Sequence, residues 1–139
     1  AMLNHTYIDG KPIEELIKNG KLKKDKLISI VDRTKNGGAE IVKFLEKGSA
    51  FYAPASSGIE MADSYLNNRK KQLPCAAFLN GEYGVKNLYA GVPVVIGSQG
   101  VEKIIEIDLN SDEKENFNKS IKSVKSLYEA AIKIDPTLK

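Results

Sequence analysis

Leu27, Ile30, Val31, Thr34, Ile41, Val42 and Leu45 fall on one stripe of a 3.6-residue period, which predicts helix across positions 27–45. The stripe runs straight through "NGG" (Asn36 to Gly38) and places Gly37 and Gly38 on its inner side. A helix stop after Lys35 is one reading. The one we favour is a continuous or bulged helix whose glycines admit another backbone at close range, because mid-helix glycine costs about 1 kcal/mol relative to alanine. A second helical run carries Ile59, Met61, Ala62, Tyr65 and Leu66. The last is the longest: Phe117, Ile121, Val124, Tyr128, Ala131 and Ile132 share a face, Asn110 or Ser111 caps its start, and Pro136 stops it. Asp112 and Glu113 suit the positive end of its dipole.

Strand-like segments lie between these helices. "HTYID" (His5 to Asp9) alternates weakly and precedes a brief helix that starts near Pro12 and stops at Asn19-Gly20. "LPCAAFL" (Leu73 to Leu79) is an almost unbroken apolar run of strand length, followed by turn chemistry in "NGEYG". "VPVVIG" (Val92 to Gly97) reads as another strand, and Pro93, which has no N–H to donate, is expected at an edge or a strand start. "SQG" then turns into "VEKIIEIDL", where Ile105, Ile107 and Leu109 alternate with Glu106 and Asp108, as in a hairpin. Strand, helices, antiparallel strands and long helix make an α+β order, not an alternating βαβ one.

With 139 residues the chain makes one domain with a core of its own, and no apolar run has the length of a membrane span. No signal-peptide h-region stands at the start. One cysteine, Cys75, rules out an internal disulfide and suits a reducing cytoplasm. The net charge of +3 and the basic stretches "KNGKLKKDK" (Lys18 to Lys26) and "RKK" (Arg69 to Lys71) raise nucleic acid as a partner. Neither stretch interleaves aromatics, so both are read as solvated flanks, and neither nucleic acid nor membrane is expected as a partner.

The reactive inventory is thin. A zinc site needs clustered ligands, yet there is one histidine, His5, and one cysteine. His5 lies in a strand-like segment near the chain's start and is read as a surface or half-buried residue, and Cys75 as a small buried hydrophobe, so no catalytic residue and no metal ligand is assigned. There is no Walker motif and no strand followed by G-x-G-x-x-G; "GSQG" (Gly97 to Gly100) sits in the hairpin. "GSAFYAPASSGIEMADSYL" (Gly48 to Leu66) has the make-up of a pocket wall, with small residues, a proline and a helix start, but nothing in it grips an anion. On its residues alone it is equally a helix entry packed from small side chains.

"VDRTKNGGAEIV" (Val31 to Val42), the Gly48–Leu66 stretch, "LPCAAFLNGEYGVKNLYAGVPVVIGSQGVEKIIEIDL" (Leu73 to Leu109) and the terminal helix together resemble the malate dehydrogenases of the lactate-dehydrogenase-like bacterial type. The resemblance runs in register over almost the whole chain. Lactate dehydrogenases would show a "GYTSWA"-like loop where Gly48 to Ala53 stand, and would lack "LPCAAFLNGEYG". What it implies is an α+β C-terminal substrate domain, spanning residues 1–139, without the Rossmann domain that binds NAD. It further implies oxidation of malate to oxaloacetate by hydride transfer to NAD, a place in the tricarboxylic acid cycle, a cytoplasmic setting and a homo-oligomer. On the same footing, Ser49 and Ala50 fall where the family's wall approaches substrate, and Pro54 where the chain approaches the nicotinamide. The family's catalytic His-Gly-Asp has no match, since His5 is followed by Thr6-Tyr7 and the chain starts just beyond that motif. Arg33 and Arg69 match none of its substrate-gripping arginines. The chain alone is therefore expected to be inactive, with another 2-hydroxy-acid dehydrogenase or a non-catalytic oligomerisation domain as the alternatives.

Overall fold

The computed structural model describes residues 2–138. They form two compact units that divide between Ala55 and Ser56. In the first, a 3-10 turn at Leu3–His5 leads into a two-stranded antiparallel ribbon, β1 (Tyr7–Ile8) and β2 (Lys11–Pro12), with Asp9 and Gly10 turning at positive φ. Only part of the strand expected over His5 to Asp9 therefore forms. Pro12 precedes α1 (Ile13–Lys18), its fixed φ of −57° aiming the chain into the helix. Ile13 and Leu27 are the buried apolar residues of this unit.

The helix expected across the two glycines is broken. Helix α2 (Lys24–Lys35) stops at Asn36, whose φ of −98° and ψ of 2° leave the helical well, and α3 (Gly37–Leu45) starts one residue later. Asn36 holds the stop by turning its own donors onto the last carbonyls. Its Nδ2 gives 2.9 Å to Asp32 O, and its N–H is shared between Asp32 O and Arg33 O. Among the described residues no atom of another segment lies within 4 Å of where a Cβ on Gly37 or Gly38 would stand. The stop after Lys35 is correct, and the close backbone approach is not there.

Helix α4 (Tyr52–Leu66) is followed by a three-stranded antiparallel sheet ordered β3 (Lys71–Asn80), β4 (Lys86–Gly97), β5 (Gly100–Ile104). Its inner face carries the core of the second unit: Ala77, Leu79, Ala90, Val92, Val94 and Ile96. Helix α5 (Ser111–Ile134) covers that face with Phe117 and Ile121. Its start is a complete capping box: Asn110 Oδ1 accepts from Glu113 N–H, and the Glu113 carboxylate accepts from Asn110 N–H. Phe117, Ile121, Val124, Ala131 and Ile132 of the expected stripe are half-buried, while Tyr128 is exposed.

Two strand expectations need correction. Pro93 lies within the central strand β4, opposite Pro74 of β3. Its carbonyl accepts from Ile105 N–H at 2.9 Å, and the N and O of a strand residue face the same side. The Pro93 nitrogen thus faces away from β3, toward Ile105 just past the last β4–β5 pair at Val94 and Ile104; no β3–β4 bond is lost, and the Ile105 carbonyl accepts from the Tyr83 hydroxyl at 2.6 Å instead. The hairpin from β4 forms, but β5 ends at Ile104, so the alternating Ile105, Ile107 and Leu109 continue outside the sheet.

Candidate functional site

The segment joining α3 to α4 is built by backbone geometry more than by charge. Between Gly48 and Ile59 there is no carboxylate, histidine, lysine or arginine. Helix α3 closes with Glu46 in the left-handed region (φ 60°), its N–H bonded to Val42 O at 3.0 Å, and Gly48 continues the turn at φ 89°. Ser49 Oγ accepts from Phe51 N–H at 3.4 Å, Ala53 N–H reaches Ala50 O at 3.4 Å, and Ala55 N–H reaches Phe51 O at 3.0 Å to begin α4. Pro54 is the third residue of that helix, where an N–H would have no intrahelical acceptor.

Ser49, Ala50 and Pro54 are thus held in one short turn-and-helix entry, Ala50 half-buried and the other two exposed. The turn offers a small hydroxyl, a methyl and a pyrrolidine edge. Such a surface excludes by shape and supplies no general base, nucleophile or counter-charge.

The remaining reactive groups each have a local setting of their own. His5 is exposed at the end of a 3-10 turn. Cys75 is half-buried, not fully buried, with its Sγ 3.4 Å from Met61 Sδ; burial pushes its thiol up, away from the nucleophilic thiolate. Arg33 forks onto Glu40 (Nε–Oε2 3.1 Å, Nη2–Oε1 3.0 Å), which raises the guanidinium and lowers the carboxyl. Arg69 binds Asp63 at 2.6 Å, Lys70 meets Glu102 at 3.4 Å and Lys71 pairs with Glu60, so the "RKK" stretch is neutralised by its neighbours. The first unit also holds an open groove of about 540 Å³ between α2 and α3, lined by Ile30, Arg33, Thr34, Gly37, Glu40, Ile41 and Phe44.

Among the described residues no group of three or more His, Cys, Asp or Glu side chains is placed to hold a metal ion, and no helix is long and apolar enough to cross a membrane. Nor do the residues by themselves fit a dinucleotide. Both sheets are antiparallel, so among the described residues no βαβ unit presents a glycine turn and helix N-terminus to a pyrophosphate. Sequence reasoning missed Gly48 and Phe51, whose contact shapes the turn. An aromatic three residues after a loop glycine was the available signal.

Comparison with known proteins gives the site its context. Residues 1–134 match the lactate/malate dehydrogenase alpha/beta C-terminal domain. The chain is 62% identical over 133 residues to a malate dehydrogenase of Pelagibacter ubique (strain HTCC1062), covering 96% of the chain and 42% of that protein. It is 56% identical over 137 residues to a malate dehydrogenase of Caulobacter vibrioides (strain NA1000 / CB15N), covering 99% of the chain and 43% of that protein. Among solved structures it is similar to a lactate dehydrogenase from Eimeria maxima with NADH and oxamate. There the TM-score is 0.91 at 41% identity, covering 97% of the chain and 42% of the other. It is also similar to a Cryptosporidium parvum malate dehydrogenase, with a TM-score of 0.85 at 42% identity, covering 90% and 40%. The chain thus spans less than half the length of the curated relatives it matches.

Proposed function

The chain belongs to the lactate/malate dehydrogenase alpha/beta C-terminal domain family, and from that premise we propose that residues 1–139 form the substrate domain of an NAD-dependent malate dehydrogenase. The proposed activity is oxidation of malate to oxaloacetate, in the tricarboxylic acid cycle, with NAD as the hydride acceptor. The observation that carries this reading is the 62% identity over 133 residues to a malate dehydrogenase.

Within that activity the part assigned to this chain is steric. Ser49 and Ala50 form the wall against the substrate, and Pro54 bounds the space beside the nicotinamide. A fixed wall of small side chains limits the poses open to a bound 2-hydroxy acid and favours those ready to react. The proton acceptor, the arginines for the two carboxylates and the dinucleotide fold are assigned outside these residues. A cytoplasmic setting, in which Cys75 stays reduced, and a homo-oligomeric assembly belong to the same proposal.

The test is steady-state kinetics of the complete reading frame's product, its length checked by intact mass. The expected result is kcat/KM for malate well above that for lactate, with no hydride transfer from the 139-residue chain alone. A complete enzyme that prefers lactate would overturn the malate assignment. It would favour the second reading, a lactate-type dehydrogenase, which the likeness to the Eimeria enzyme supports. Turnover by the chain alone at a rate comparable with the complete enzyme would overturn the division of labour.

A further inference from the structure

We propose that Gly48 and Phe51 are positioning residues for the Ser49–Ala50 wall, acting as a steric pair in which the Phe51 ring occupies the space that a side chain at position 48 would need. The inference rests on the substrate-domain reading above. A Cβ on residue 48 would stand 2.5 Å from Phe51 Cζ and 2.8 Å from Cε2, well inside the roughly 3.5–4.0 Å of carbon–carbon contact. A side chain at position 48 would therefore have to displace the Phe51 ring, and the φ of 89° at Gly48 separately favours glycine.

Phe51 itself has φ 27°, a backbone setting that a bulky residue adopts only when its surroundings over-determine it. Three contacts do so. Its ring lies on Gly48, its N–H points to Ser49 Oγ at 3.4 Å, and its carbonyl accepts from Ala55 N–H at 3.0 Å in the first turn of α4. Ser49 and Ala50 are the two residues between the halves of this clasp. Their backbone path has no regular secondary structure of its own and follows from where residues 48 and 51 are held. The wall is therefore set by two residues that supply none of its surface.

The experiment is a double-mutant cycle in the complete dehydrogenase, reading KM for malate and kcat separately. Gly48→Ala alone is expected to raise KM about tenfold with kcat within about twofold, as for a displaced binding surface. In a Phe51→Ala background the same change should raise KM by less than about twofold, because the ring it displaces is gone; strain at φ 89° is common to both arms and cancels. Fluorine NMR with 4-fluorophenylalanine, the Phe51 signal identified by its loss in Phe51→Leu, should show that signal moving in Gly48→Ala. Where Gly48→Ala does not fold, Phe51→Ala alone decides, and an unchanged KM overturns the inference. An active wild type whose KM is indifferent to Gly48→Ala, or whose cycle is additive, overturns the inference and leaves the substrate-domain reading standing. A complete wild type that oxidises no 2-hydroxy acid removes both.

Discussion

Ser64 is the one fully buried polar side chain among the described residues, and it works as a two-way staple at the end of α4. Its Oγ–H donates to Ile96 O at 2.7 Å, and the oxygen accepts from Lys71 N–H at 3.1 Å. Replacing it with alanine strands a buried carbonyl and a part-buried N–H at once. We expect Ser64→Ala to lower unfolding free energy by about 1–3 kcal/mol, read as a fall in the urea midpoint at unchanged slope. One helix position earlier, Asp63 is pulled both ways. Burial pushes its carboxyl up, but the Asn67 hydrogen bond, the Arg69 charge and hydrogen bond, and the Lys71 charge outweigh this and hold it below the ordinary carboxylate range. A depressed folded-state pKa contributes stability above the unfolded carboxylate's pKa and loses it as pH falls through the folded one. Stability should therefore decline on acidification from the ordinary carboxylate range downwards, and Asp63→Asn should flatten that decline. An unaltered acid limb in Asp63→Asn would show that the cluster contributes nothing. Neither role was legible beforehand: a serine and an aspartate in a helical run carry no sign of which way they face until the helix has a sheet to rest on.

Elements were legible where one physical signal dominates and hidden where two compete. Helix α5 has period, cap and terminating proline all in agreement, and it forms as read. The order of the β3–β4–β5 meander was likewise readable from apolar runs punctuated by turn residues, although β4 starts at Lys86 and not at Val92, where its apolar run was read to begin. Helices α2 and α3 defeated the same method because their stripes stay in phase across a one-residue break. Periodicity cannot register a stop that Asn36 makes by bonding back to Asp32. Pro93 was misplaced because sequence shows that a donor is missing and not which side it would have faced. The wall residues Ser49, Ala50 and Pro54 were reached through family resemblance, since small uncharged side chains advertise no chemistry. The corrected α2–α3 geometry reverses one expectation. With open space around Gly38, Gly38→Val brings no overpacking, and its effect on chain stability should stay within about 0.5 kcal/mol. A loss of several times that in the denaturant midpoint would restore the close approach that the structure denies.

At the scale of the molecule, the near-continuous apolar run of β3 raises a question of cover. Strands that read as unbroken hydrophobic runs are those buried on both faces. Here Leu73, Cys75, Ala77 and Leu79 turn inward, while Pro74, Ala76 and Phe78 alternate with them on an exposed outer face. Across the ladder Phe78 meets Tyr89 edge to face, with ring centroids 5.4 Å apart, and both remain about half exposed or more (48% and 61%). Val101 of β5 is exposed as well, and elsewhere in this unit so are Ile59, Leu66 and Leu127. An apolar face of this kind left open to water marks an interface or an aggregation liability, and closed two-fold association is its commonest resolution. The chain should therefore self-associate reversibly, with the outer sheet face in the contact. Sedimentation equilibrium over a wide concentration range should return a mass rising toward a dimer or a higher closed oligomer. Phe78→Glu places a charge in that expected contact, and should weaken association at least tenfold, about 1.4 kcal/mol. It leaves the inner core residues untouched, so the variant should fold as before by circular dichroism. A wild-type chain that stays a single monomer at the highest concentration would refute self-association, and an oligomer indifferent to Phe78→Glu would place the contact on another face.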